Sequence, residues 1–411
     1  MNLKVIVLLL ILLDAAWKVV VGILDRRSMR RETPENVKDV YEPEEYRKWR
    51  AYKSESKRLD AISTVVGYAV DIILIMANVY AAFAACFPDN IYLQMLSVIL
   101  LNTLVTAVVG IPFDYYSTFT IEEKYGFNKS TKKTFVTDQI KDFFIELILM
   151  TLLVCLFAWL HQTFGDLVIL LFAAGVILLG LVFSFLTPVF TKLFNKFQPL
   201  EEGELKEHLM ALMTKYGYRV KAIEVMDASR RSTRMNAYFT GLGPVKRIVL
   251  FDTLKEAMSE EQICAVFAHE MGHGLHHDMI RNRIYSVVQG LAIALSGWLV
   301  ISTPEVFTTF GFNGVNYGFA FVLMGYVLGI ITPLIGLLTN ASSRKAEYRA
   351  DAQAVQEGYG EALISALKLL AKNNLADLSP DPLLVKLTYS HPTLDQRIGA
   401  VLERMKQDRN A

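Results

Sequence analysis

His269 and His273 stand four residues apart in the run Phe267-Ala-His-Glu-Met-Gly-His273. On an α-helix that spacing puts both imidazoles on one face, where a single zinc ion can take a nitrogen from each. Glu270 lies between them, turned to the side and within reach of a zinc-bound water. H-E-x-x-H on a helix is the pattern of a zinc peptidase, with the glutamate as general base on that water. Histidine is scarce, seven in 411 residues, so a chance pairing at this spacing is disfavoured. A hydrolytic zinc takes three protein ligands and leaves the fourth position to water, and two histidines fall one short. Glu347, in Arg344-Lys-Ala-Glu-Tyr-Arg-Ala-Asp351, is the candidate third ligand. Asp351 is one helical turn beyond it, where a carboxylate can accept a hydrogen bond from a ligand imidazole and fix its tautomer.

The elements that must hold these groups are legible locally. Ser259, with Gln262 three residues on, forms a capping box, so the zinc helix is expected to start there. Residues Glu202 to Tyr216 have helical periodicity, and Ala222 to Met226 alternate as a short strand. Asn236–Thr240, Gly241–Pro244 and Arg247–Phe251 read as strand, turn, strand. An edge strand beside a zinc helix can bind a peptide by adding it as a further strand. His391 sits in Tyr389-Ser-His-Pro-Thr-Leu-Asp-Gln-Arg397, with little nearby to explain a histidine. Two readings stay open for it. One is a donor to the oxyanion that peptide hydrolysis builds, with Arg397 orienting it or the substrate carbonyl. The other is a residue that caps a helix and only stabilises the tail. His276 and His277 are expected in structural or solvent-facing roles, and His161 and His208 on the surface.

The rest of the chain is a membrane protein by composition. Apolar residues make up 53% of it and come in blocks. Seven stretches approach the ~20 apolar residues that cross a bilayer: Leu3–Ile23, Ala61–Phe87, Ile91–Val109, Phe143–Leu160, Leu167–Phe190, Ile284–Ile301 and Tyr317–Leu338. The first is expected to be a retained span and not a signal peptide, because Asp14 and Lys18 interrupt it and no small-residue cleavage site follows. The segments 26–58, 124–141, 191–283 and the tail after Leu338 are rich in Lys and Arg, while 88–90, 161–166 and 302–316 contain neither. Seven spans put every basic segment on one side. The positive-inside rule makes that side the cytoplasm, with the N-terminus outside. Asp14, Lys18, Asp71, Asn78, Asn102, Glu146 and Gln289 lie within spans and are expected to face other helices or a wet interior; Asp14 and Lys18 are spaced to pair. Glu32–Lys57 is highly charged with aromatics and reads as a helical or irregular cytoplasmic connection, most simply a solvated loop near the headgroups. A net charge of +1 suggests no nucleic-acid partner. Cys86, Cys155 and Cys264 are scattered and odd in number, small core residues and not a disulfide framework.

These blocks together resemble the seven-span membrane zinc endopeptidases typified by the CaaX prenyl protease, also called the a-factor-converting enzyme. The resemblance runs over nearly the whole chain. It includes Pro112–Tyr116, Thr118–Glu122, Gly126–Asn128, Leu193–Phe197 with Pro199-Leu200, and Asn236–Tyr238. It continues through Arg247–Leu250, Asp252–Leu254, His269–His273 and Ser343-Arg344, and ends in Ser390–Pro392 and Arg397. It implies helices enclosing a water-filled chamber with the zinc site at its cytoplasmic end. It also implies His269, His273 and Glu347 as ligands of one zinc per chain, Glu270 as base, and Asn236, His391 and Arg397 along the substrate cleft, with Ala237 and Tyr238 beside Asn236 as further candidates for substrate binding. The run Gly274-Leu-His-His-Asp278 departs from the eukaryotic members, which carry Trp directly after the motif. The chain is more similar to a prokaryotic member, and a bacterial inner membrane is favoured over the endoplasmic reticulum.

The expected fold is therefore mainly α and polytopic, about seven transmembrane helices with a cytoplasmic gluzincin-type peptidase domain holding a small β-hairpin or sheet. Expected boundaries are 1–190 for five spans, 191–283 for the peptidase segment, 284–338 for two more spans and 339–411 for the segment with the third ligand. The expected partners are the bilayer and a peptide or protein substrate, lipidated CaaX-type chains included. The alternative activity is quality-control proteolysis of broad specificity. A seven-span transporter or receptor leaves the zinc constellation unexplained, and a non-catalytic zinc scaffold would not need Glu270.

Overall fold

A computed structural model describes residues 2–128, 130–175, 177–178, 195–230, 235–240 and 245–410. In chain order the principal helices are α1 (Leu3–Ser28), α2 (Pro43–Met76), α3 (Ile91–Tyr116), α4 (Lys132–Phe164), α5 (Glu204–Lys215), α6 (Glu260–Leu275), α7 (Asp278–Ile301), α8 (Tyr317–Gln356), α9 (Gly360–Asn373), α10 (Pro382–Thr388) and α11 (Leu394–Arg409). Four strands, β1 (Phe197–Pro199), β2 (Arg219–Met226), β3 (Ala237–Thr240) and β4 (Val245–Phe251), lie between α4 and α6. The chain divides into two units, one made of Met1–Met29, Arg47–Leu178 and Val287–Ile335, the other of Arg30–Tyr46, Leu179–Ser286 and Gly336–Ala411.

The first unit is helical. Among the described residues, six helical stretches are long and apolar enough to cross a membrane: Leu3–Ser28, Pro43–Met76, Ile91–Tyr125, Lys132–Gly175, Ile280–Ile301 and Tyr317–Gln356. The fourth covers 44 residues, about twice what a bilayer core needs. It is interrupted at Gly165, which takes φ +57 and opens a 3-10 turn over Gly165–Leu167. That turn falls in the expected 161–166 loop. The expected span Leu167–Phe190 starts helical just after it, and from residue 179 lies outside the described residues. α2 begins well before its apolar part, so the second half of the charged connection takes the helical of its expected forms. It stops at Met76, and Asn78 at φ 59 turns the chain into a short helix, Val79–Ala84. Some polar groups within the spans pair with one another, while Glu146 and Gln289 are exposed. Asp14 accepts from the Tyr68 hydroxyl at 2.7 Å and does not pair with the exposed Lys18. Tyr80 donates to Asn102 at 2.9 Å.

The second unit carries the sheet, ordered β1-β2-β4-β3. β1 runs antiparallel to β2, β2 parallel to β4, and β4 antiparallel to β3, which leaves β3 on an edge. One face of the sheet meets α5 and α6 through Leu209, Met213, Ile223, Ile248, Leu250, Phe267 and Met271. The stretch Arg30–Tyr46 belongs to this unit. Val37, Tyr41 and Tyr46 are buried, and the Tyr41 hydroxyl donates to the carbonyls of Ala371 and Ala376 at 3.0 and 3.1 Å. This part of the charged connection is therefore a packed strap and not a solvated loop, because its aromatic residues fill a pocket while its charges stay outside.

α6 starts as its sequence requires. The Ser259 hydroxyl accepts from the Gln262 amide, and the Gln262 side chain accepts from the Ser259 amide. Buried on nearly all sides, α6 crosses α8 closely: a Cβ on Gly272 would lie 2.8 Å from the Ala350 Cα and 3.1 Å from the Gln353 Cβ. Helix propensity alone favours Ala over Gly by about 1 kcal/mol. The crossing reverses the sign, because the blocking atom is backbone and cannot rotate away. Gly272→Ala is expected to lower the thermal midpoint, with an overpacking cost of about 1–3 kcal/mol, and to reduce metal content. A raised midpoint in thermal denaturation would show that the crossing tolerates the methyl group.

Candidate active site

α6 and α8 bring the expected ligands together. His269 Nε2 lies 3.6 Å from Glu347 Oε2, and His273 Nε2 lies 3.5 Å from Glu347 Oε1. One ligand atom from each of the three residues falls within 4.8 Å of the others. Atoms bound at about 2.0–2.1 Å to one tetrahedral ion lie roughly 3.3–3.4 Å apart, so the spacing fits a single metal. The remaining imidazole nitrogens are already engaged. His269 Nδ1 is 2.8 Å from Asp351 Oδ1, and His273 Nδ1 is 2.8 Å from Asp278 Oδ2. With both Nδ1 atoms donating to carboxylates, both Nε2 lone pairs face the space beside Glu347.

The tail supplies the opposite wall. Arg397 grips Asp351 through Nε at 2.9 Å and Nη2 at 2.6 Å, and its Nη1 lies 3.3 Å from Glu347 Oε2. His391 Nε2 lies 3.3 Å from Glu347 Oε1 and remains 63% exposed. The cap of α11 is Thr393, in a capping box with Gln396, and not the Ser390–Pro392 run. α8 holds the approach to His391: Arg344 donates to the carbonyls of Val385, Lys386 and Tyr389, and Asn340 to that of Thr388. Glu270, His391 and Arg397 line a cleft of about 860 Å³ together with Asn236, Ala237 and a leucine wall, Leu363, Leu367 and Leu370, from α9.

Two positions differ from expectation. Tyr238 faces away from the cleft, packed near Met226, Ala228 and Val249 with its ring against Phe251. Within β3, Ala237 lines the cleft and Tyr238 points to the opposite face of the strand, while Asn236 precedes β3 and lines the cleft from its entry. Asp278 was given no role by sequence reasoning, yet it is buried and holds His273. Its only sequence signal is an acid five residues beyond the second histidine, across a break in the helix. His276, His277 and His208 are exposed, and His161 pairs with Tyr317 at 2.8 Å.

Burial opposes charge on His273, but hydrogen bonds to Glu347 and Asp278 outweigh it and raise the pKa to about 9. The sign follows. The charged imidazole stabilises the metal-free chain fully below its unfolded value of about 6.5, and that contribution is lost as pH rises through about 9. A metal must displace this proton. Metal affinity is expected to rise about tenfold per pH unit from neutrality toward pH 9, read by chelator competition. A flat profile over that window would mean that His273 is already neutral.

Matches to known proteins extend over nearly the whole chain. The family model of peptidase family M48 matches residues 199–405, and one described as CAAX prenyl protease N-terminal, five membrane helices, matches residues 25–196. The chain is 38% identical over 304 residues to the protein named "Probable CAAX prenyl protease 1" of Schizosaccharomyces pombe, covering 73% of this chain and 64% of that one. It is 32% identical to the "CAAX prenyl protease 1 homolog" of Arabidopsis thaliana, covering 90% of each. The crystal structure of S. mikatae Ste24p superposes with a TM-score of 0.80 at 28% identity, covering 98% of this chain and 99% of that one.

Proposed function

The chain belongs to peptidase family M48 and is a multi-pass membrane metallopeptidase, and on that premise we propose that it is a zinc endopeptidase acting on CaaX-type protein tails, lipidated ones included. The observation that carries the reading is the convergence of His269, His273 and Glu347, with each Nδ1 backed by a carboxylate. This donor set of two imidazoles and one carboxylate suits zinc in a hydrolytic site. A zinc held there supplies Lewis acidity and lowers the pKa of water to about 7.

The chain's own residues do the rest. Glu270, on the same helix as the two histidines and lining the same cleft, takes a proton from the attacking water and delivers it to the leaving amine. His391 donates to the carbonyl oxygen as negative charge builds there. Arg397 fixes Asp351 and Glu347, and through them the ligand geometry. The edge of β3, entered at Asn236 and Ala237, offers backbone groups to an extended peptide. The leucine wall suits aliphatic side chains, which CaaX tails present directly after the cut bond. The lopsided distribution of Lys and Arg supports a cytoplasmic site and an external N-terminus, in a bacterial inner membrane or the endoplasmic reticulum alike.

The deciding comparison sets a prenylated CaaX peptide beside its unprenylated twin and an unrelated unfolded protein. Preferred cleavage of the prenylated peptide is expected; equal cleavage of all three would replace this reading with broad quality control. Glu270→Gln is expected to keep its zinc and lose hydrolysis by at least about 10²–10⁴-fold, the usual worth of acid–base catalysis. Glu347→Ala should lose the zinc itself, and full occupancy in that variant would remove Glu347 from the ligand set. Cysteines placed at Glu202 and Asn313 should label from opposite sides of the membrane, and labelling from one side would refute the topology.

A further inference from the structure

Asp278 begins α7, directly after a left-handed residue. His277 takes φ +56, a conformation that costs an L-residue free energy. The turn it makes lets the chain leave α6 after Leu275 and return the next carboxylate toward the helix it has just left. Asp278 is 3% exposed. Its Oδ2 lies 2.8 Å from His273 Nδ1. Its Oδ1 meets two guanidinium groups, Arg281 Nη2 at 2.7 Å and Arg349 Nη2 at 3.0 Å. Arg349 stands two residues from Glu347 on α8. The other histidine has the same kind of support: His269 on Asp351, and Asp351 on Arg397.

From this geometry we infer that Asp278 is the positioning residue for the second metal-binding histidine, and that Arg349 acts through it. The carboxylate accepts the Nδ1 proton of His273, which fixes the tautomer with its free lone pair on Nε2 and sets the ring plane toward Glu347. Arg349 fixes the carboxylate in turn, so the helix that bears Glu347 also steers His273. One turn of α8 then carries a ligand, the guanidinium that anchors one histidine's support, and the carboxylate that supports the other. The competing role for Asp278 is an ordinary acidic helix start, favourable at the positive end of the α7 dipole. That role predicts a loss of thermal stability and leaves metal affinity alone.

The inference rests on His273 being a ligand, and the two can fail separately. The full-length chain is stripped of metal, and zinc dissociation constants are measured near neutral pH by chelator competition, alongside thermal unfolding of the metal-free form. Asp278→Ala is expected to weaken zinc binding by about 10–100-fold and to shift the absorption bands of the cobalt-loaded chain. Asp278→Asn, which can still offer an oxygen to Nδ1 without the charge, should lose less. Arg349→Met should weaken zinc in the wild-type background and add little to Asp278→Ala, since it works through the same carboxylate. Should Asp278→Ala fail to fold, Asp278→Asn and Arg349→Met decide. Zinc affinity within about twofold of wild type in these variants, or losses that add in full, would overturn the inference. A wild-type chain that takes up no zinc would instead overturn the ligand assignment beneath it.

Discussion

The site depends on how closely α6 can approach α8. Two ligands sit on the first helix and one on the second, so the distance between helix axes sets the distance between donors. At Gly272 the approach is limited by the Ala350 backbone itself. Gly272 lies between His269 and His273 in the motif, and Ala350 lies between Glu347 and Asp351. The tightest contact of the crossing is thus in the same turns as the donors. A larger residue at Gly272 would press the two helices apart at the turns that carry the donors. Close packing in a protein interior transmits such a displacement instead of absorbing it.

The second constraint is charge. Glu347, Asp351 and Asp278 are 5%, 1% and 3% exposed, and an unpaired ionised carboxylate at such depth costs several kcal/mol. Each one is met by a cation or a protonated imidazole. Arg397 answers Asp351 and Glu347; Arg349 and Arg281 answer Asp278. Guanidinium suits this use because its planar fork binds carboxylates in two places and stays charged. These pairs let a cluster of acids stay ionised where a metal needs them, and they keep each imidazole's proton on the nitrogen that faces away from the metal.

Much of this was legible in the sequence where the governing physics is local. The capping box at Ser259 and Gln262, the four-residue histidine spacing and the placement of Asp351 one turn after Glu347 are all set by the α-helical repeat. Asp278 was not legible, because its value comes from the left-handed turn at His277, and from an arginine 71 residues away. Tyr238 packs on the face of β3 away from the cleft, and strand alternation shows that two neighbours face opposite ways but not which one faces the helix. The parallel pairing of β2 with β4 was hidden for a similar reason: the hairpin of β3 and β4 is local, whereas the place of β2 beside β4 depends on a crossover. The strap at Tyr41 and Tyr46 looked like a solvated connection because its charges outnumber its aromatics. Its pocket is made by residues more than 300 positions later, Ala371 and Ala376.

That strap bears on how the tail is held. His391 and Arg397 reach the site from the last segment of the chain, and α11 has no covalent tie to α6 or α8 nearer than the α9–α10 stretch. Its position is therefore set by side-chain contacts on two sides. On one, Arg344 and Asn340 of α8 hold the carbonyls that end α10. On the other, Asn36 of the strap donates to Asp395 at 2.9 Å, and the strap is itself tied to α9 where Lys368 pairs with Asp39 at 2.8 Å. The exposed pairs contribute little each. The buried Tyr41 hydroxyl, which donates to carbonyls at and just beyond the end of α9, contributes more because an unmet polar group there would be costly. The leucine wall of the cleft lies on α9 itself. The same packed strap that fixes the end of α9 therefore fixes one face of the cleft, and residues far upstream of the histidine motif help to set the shape of the space where substrate binds.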